Sequence, residues 1–196
     1  MMMNRFIGFI LTSLLAISCA DNTPKSADKE SNESISQIID YSAKGDSIAT
    51  LATQILGGKL KVAMAEGGVP HALQFCSANA LNITDSISGL GDFKISRVAL
   101  KNRNPNNKLN EQEKKLFAEI ESAHIKGEDV KGELIEESGH EVYYKPIFVK
   151  GLCLACHGSE EQIGEDNLRI ITDLYPSDKA TGFEMGDLRG FWKIQF

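Results

Sequence analysis

Apolar positions along the chain fall into runs with two different periods. Ile48, Leu51, Ile55, Leu56 and Val62 recur at helical spacing and predict a helix from Asp46 to about Glu66. Gly57 and Gly58 weaken it and could bend it, each by about 1 kcal/mol relative to Ala. Gly67-Gly68 ends it, and Pro70 suits the first turn of a second helix running to about Thr84. Val69, Leu73, Cys76, Ala80 and Ile83 share one face of that helix, so Cys76 is expected to point inward. Phe93 to Leu100 alternates well enough for a strand and runs into a basic, Asn-rich loop, 101–107. Asn110 with Glu113 forms a capping-box pattern ahead of a third helix whose inner face carries Leu116, Phe117, Ile120 and His124. Val130 to Glu136 and Glu141 to Val149 predict a hairpin turning at Ser138-Gly139. Ser159 with Gln162 marks another helix start. Leu168, Ile171 and Leu174 carry a helical period to Tyr175-Pro176, and Leu188 to Phe196 closes the chain as a strand. Helices, strand, helix, hairpin, helix and strand in that order predict an α+β fold: an antiparallel sheet with flanking helices.

The N-terminal pattern is of another kind. Arg5 precedes twelve largely apolar residues, Phe6 to Ile17, too few to span a bilayer as a helix, which takes ~20. Ala16-Ile17-Ser18-Cys19 follows, small residues before a cysteine as in a bacterial lipobox, although Ala16 is not the usual branched residue. The expected layout is a lipoprotein signal peptide over 1–18, a polar tether over 19–41, and a folded domain over 42–196. Cys19 is the lipidation residue, and the domain is exported to the periplasm and anchored to a bacterial membrane. A plain secretory signal with a chance cysteine is the alternative. A net charge of −6 argues against nucleic acid or an anionic lipid surface as partner.

The chemistry centres on Cys153-Leu154-Ala155-Cys156-His157. This C-x-x-C-H pattern is that of covalent c-type haem attachment: two thiols take up the vinyl groups and the adjacent His157 ligates the iron. A zinc site is the rival, but it wants a second pair of ligands that the sequence lacks. A redox dithiol would want a βαβ setting. With Cys19 assigned to lipid and Cys153 and Cys156 to haem, Cys76 is the odd cysteine. On an apolar helix face, a small buried hydrophobe and an iron ligand are both open readings. Met64 and Met185 are rival ligands, better read as packing; His71 points away from Cys76; His140 falls at the hairpin turn. Arg97, Lys101 and Arg103 are candidates to pair with haem propionates, with surface charge as the plain alternative.

Four separated segments carry a family resemblance. They are Leu73-Gln74-Phe75-Cys76-Ser77-Ala78; Arg97 to Asn106; Lys145-Pro146-Ile147 ahead of Cys153-Leu154-Ala155-Cys156-His157-Gly158; and Tyr175 to Phe183 followed by Gly186-Asp187-Leu188-Arg189-Gly190. In that order they resemble the single-haem, PAS-like c-type proteins once grouped as a domain of unknown function, for which a cyanobacterial member is the model. The resemblance implies a PAS-like sheet with flanking helices, one covalent haem c at the sheet end, and iron held between His157 and a thiolate matching Cys76. Asn102 and Phe191 depart mildly from the pattern. The function expected is redox or small-ligand sensing, or one-electron transfer, with an unidentified redox or signalling protein as partner and no enzymatic turnover. The alternative is a haem peroxidase with an open distal side and His124 as its acid/base group.

Overall fold

A computed structural model of the chain describes the backbone of residues 27–196 and the side chains from Tyr41 onward. The expected signal peptide and Cys19 lie outside the described residues. Among the described residues no helix is long and apolar enough to cross a membrane.

The first helix, α1 (Ala27–Ser88), is broken at Gly67-Gly68 into arms 27–66 and 69–88. It begins inside the stretch expected as a tether. The break is as expected: Gly68 has φ +68°, which glycine alone adopts without strain, and Pro70 opens the second arm. Gly57 and Gly58 stay helical, so the possible bend between them is not made.

Four strands follow: β1 (Lys94–Val98), β2 (Glu133–Glu137), β3 (His140–Phe148) and β4 (Leu188–Gln195). They form one antiparallel sheet in the order β1-β4-β3-β2. The hairpin turns through Ser138 and Gly139, both with positive φ (53° and 81°), as a tight turn between twisted strands requires. Between β1 and β2 lies α2 (Glu111–Ile125), capped reciprocally by Asn110 and Glu113. Between β3 and β4 lie three short helices, α3 (Gly151–His157), α4 (Glu160–Ile163) and α5 (Glu165–Leu174). Ser159 and Gln162 cap α4 in the expected capping box.

The sheet is buried on both faces. Val98, Val142, Tyr144, Leu188 and Phe191 face α2, packing on Leu116, Phe117 and Ile120. Ile95, Tyr143, Trp192 and Ile194 face the first arm of α1, packing on Ile48, Ala49 and Ala52. Small residues make this second contact close. A Cβ at Gly45 would lie 2.5 Å from the Tyr143 ring. Leu51 and Val62, expected on the inner stripe, are 40% and 56% exposed; the two alanines take the positions nearest the sheet. The phenol of Tyr143 and the ammonium of Lys145 both donate to Asp46, at 3.1 and 2.6 Å, and fasten the arm. The second arm packs on α4 and α5 through Leu73, Ile163 and Ile171.

Candidate functional site

Where α1 leaves the end of the sheet, it opens a cavity of about 300 Å³. Its walls are both arms of α1, the ends of β1, β3 and β4, the 102–107 loop, α3 and Tyr175. Cys76, Cys153, Cys156 and His157 all line it. The second-arm face expected to point inward supplies Leu73, Cys76 and Ala80 to the same wall.

The C-x-x-C-H segment lies in the short helix α3. Helical geometry places Cys153, Cys156 and His157 within about one turn on one side. None of the three described cysteines is in a disulfide. His157 Nδ1 donates to the Ala180 carbonyl at 2.6 Å, which fixes the tautomer and leaves Nε2 unprotonated. Burial, then the charges of Arg189 and Arg103, hold its imidazole well below the ordinary histidine range, so it stays neutral and able to ligate. Burial pushes the Cys156 thiol up to about 11. It also raises Cys76, against the opposing pull of Arg97 and Arg103.

Three arginines line the cavity, Arg97, Arg103 and Arg189. Arg103 has an occupation other than the one expected. It makes a side-on bidentate pair with Asp178, both contacts at 3.1 Å, and donates to the Cys156 carbonyl at 2.7 Å. Its donors are therefore largely committed to protein partners. Arg97 lies over Trp192, 5.7 Å from the ring centroid, and has no ion pair or hydrogen bond among the described residues. Burial pushes it below its ordinary value. Lys101 donates to the Gly182 carbonyl and lies over Phe183, outside the cavity lining.

Arg189 did not stand out in the sequence. Ile147 pairs with Gly190 while Phe148 pairs with Leu188, so Arg189 is the extra residue of a β-bulge. Bulges re-aim side chains, and this one adds Arg189 to the cavity wall. It donates to the Lys101 carbonyl at 3.0 Å, and burial beside Arg103 and Arg97 lowers it to about 10. Asp178 is the one carboxylate that reaches these three cations among the described residues, which leaves two positive charges facing the cavity.

The remaining candidates lie elsewhere. His124 sits over Phe148, bonds the Gly186 carbonyl at 2.9 Å and is not among the cavity-lining residues. His71 pairs with Glu66, His140 with the Phe196 carbonyl, and Met185 is 63% exposed. Met64 is not among the lining residues. Among the described residues no three His, Cys, Asp or Glu side chains gather as a metal cluster. The donor set instead suits a planar group: ligands on separate walls, apolar sides, and two unmatched cations. Gly57 adds to the fit, since a Cβ there would meet nothing within 4 Å on a helix that lines the cavity.

The sequence matches the family model described as Tll0287-like over residues 20–196. The chain belongs to the Tll0287-like family. Among solved structures it is similar to the crystal structure of the cyanobacterial heme-protein Tll0287, with a TM-score of 0.56 and 22% identity over 87% of this chain and 96% of that one. At that identity the likeness speaks for the shared α+β fold. No curated protein sequence matches. The resemblance carried by the four segments around Cys76, Arg97, Cys153 and Tyr175 is thus borne out as a family assignment.

Proposed function

We propose that the chain binds one haem c, held through thioethers at Cys153 and Cys156, with His157 and Cys76 as axial ligands. The observation that carries this reading is the convergence of Cys76, Cys153, Cys156 and His157, from two separate helices, on one cavity with two unmatched arginine charges. The family and the cyanobacterial heme-protein of similar fold support the choice of haem over other planar groups.

Each residue has a role that its surroundings explain. His157 is held neutral by burial and oriented by Ala180, so that Nε2 is free to donate. Burial raises the Cys76 thiol, Arg97 and Arg103 pull against that rise, and bonding to iron would supply the rest of the drive toward a thiolate. Arg97 and Arg189 would meet the two propionates, whose charge would match the excess in the cavity. Leu73, Leu56 and Trp192 give the cavity apolar walls that would keep water from the group. Bound haem would supply one-electron redox chemistry, and reversible binding of a small ligand once one axial ligand is released.

The role proposed is redox or small-ligand sensing, or one-electron transfer, rather than substrate turnover. With both His157 and Cys76 bound, the iron would have no position left for a substrate. Export and lipid anchoring at Cys19 complete the proposal, on the strength of the apolar run 6–17 and the extracytoplasmic setting that haem c attachment needs. A redox or signalling protein is the partner proposed. The test is expression with cytochrome c maturation. A pyridine haemochrome spectrum of the c type, and a mass increase of one haem lost in Cys153→Ser/Cys156→Ser, are expected. Colourless protein of unmodified mass overturns the reading.

A further inference from the structure

The end of α3 is held by one loop. The Gly182 N–H donates to the Gly158 carbonyl at 2.7 Å, and the Phe183 N–H to the His157 carbonyl at 2.9 Å. Within this loop the Ala180 carbonyl accepts from two side chains at once, His157 Nδ1 at 2.6 Å and Arg103 Nη2 at 3.3 Å. Arg103 is not free to drift from that contact. Its Nε and Nη2 meet the two oxygens of Asp178 at 3.1 Å each, and Nη2 also reaches the Cys156 carbonyl at 2.7 Å. Asp178 is fixed in turn, its Oδ1 accepting the Ala180 N–H at 3.0 Å. The two side chains are only 12% and 9% exposed, so solvent and salt screen them little.

Resting on the haem c reading above, we propose that Arg103, locked by Asp178, is a positioning residue for the axial imidazole. It shares the Ala180 carbonyl with His157 Nδ1 and so sets how strongly Nε2 donates to iron. A metal-bound imidazole gains donor strength as the hydrogen bond from its other nitrogen strengthens. A guanidinium on the same oxygen draws on the same electron density and weakens that bond. Arg103 therefore tips the couple toward the ferrous state through the ligand. Its positive charge, close to the iron-bearing cavity, acts in the same direction.

Arg103→Lys in the holoprotein separates ligand from charge. Lysine keeps the charge but has no planar fork to serve Asp178, Cys156 and Ala180 together. The expected result is a haem content equal to wild type, a changed ferric EPR g-spread, and a shift of the ferric-to-ferrous ratio toward ferric. The shift should be about threefold at fixed potential, roughly 30 mV for a one-electron couple. Arg103→Gln, which also removes the charge, should shift it further. If Arg103→Lys matches wild type in potential and EPR while Arg103→Gln shifts, charge alone is acting and the positioning role is overturned. Should Arg103→Lys not accumulate, Asp178→Asn unlocks the guanidinium; an unchanged g-spread in that variant overturns the role as well. A wild-type protein without a haemochrome spectrum removes the haem reading itself, and that is known before any variant is made.

Discussion

A Cβ on Gly190 would lie 2.3 Å from the carbonyl oxygen of Val98 and 3.0 Å from Cβ of Ala99. Gly190 also has φ +153°, a backbone state that side chains rarely adopt. The obstacle is backbone on the neighbouring strand, so it cannot swing aside. Because Gly190 follows the bulged Arg189, the close approach of β1 and β4 and the aim of Arg189 share one cause. Gly190→Ala should part these strands beside the cavity. Overpacking alone costs about 1–3 kcal/mol. Urea unfolding should show the loss, together with a reduced haem yield per chain. An unchanged midpoint would mean that the two strands can separate freely.

On the proposed ligand set, Cys76 would decide the character of the iron. As an anionic thiolate it stabilises ferric iron more than a neutral ligand does. Cys76→Ala should leave covalent attachment intact, change the low-spin visible bands, and raise the midpoint potential by more than about 60 mV, a factor above ten. Unchanged low-spin bands would remove Cys76 from the ligand set.

Much of this was legible from local pattern. Gly67-Gly68 marks the break in α1 because only glycine accepts the φ that Gly68 needs. Asn110 with Glu113, and Ser159 with Gln162, cap helices through contacts three residues apart, which sequence spacing encodes. The C-x-x-C-H pattern was equally plain, and its three side chains line one cavity. What was hidden depends on partners distant in sequence. Arg189 follows strand alternation in the sequence, and only the bulge opposite Ile147 and Phe148 re-aims it. Arg103 carries the charge expected of a propionate partner, yet Asp178, far along the chain, claims its fork. Its place in one of the four segments that carry the family resemblance was the signal that could have raised Arg189. Leu51 and Val62 fit the helical period, but the alanines beside them allow the closer approach, and period alone does not rank the two.

The fastening of α1 to the sheet sets a pH dependence. The hydrogen bond from Lys145 holds the Asp46 carboxyl below its usual range, against the opposing effect of burial. A carboxylate depressed in the folded state contributes stability that is present above the ordinary carboxylate pKa, near 3.8, and lost as pH falls through the lower folded value. Acid unfolding should therefore include Asp46, and Asp46→Asn should flatten the stability profile below about pH 4 while the profile near neutrality keeps its shape. Stability measured by urea titration at successive pH values checks this. A wild-type slope in Asp46→Asn would place the acid sensitivity elsewhere.

Arg97 gives a test whose sign depends on the cofactor. Without haem it is a buried cation with no carboxylate partner among the described residues, and desolvation of such a group opposes folding. Arg97→Met keeps an unbranched apolar stem while removing the charge and the guanidinium that lies over Trp192. Cofactor-free chain, made without export, should be unchanged or stabilised by this substitution. In the holoprotein the same change leaves a propionate without its donor and should cost about 1–3 kcal/mol. Urea midpoints of the two forms, with and without the substitution, complete a cycle that isolates the coupling between Arg97 and the haem. Loss of stability of equal size in both forms would show that Arg97 acts through packing on Trp192 and holds no propionate.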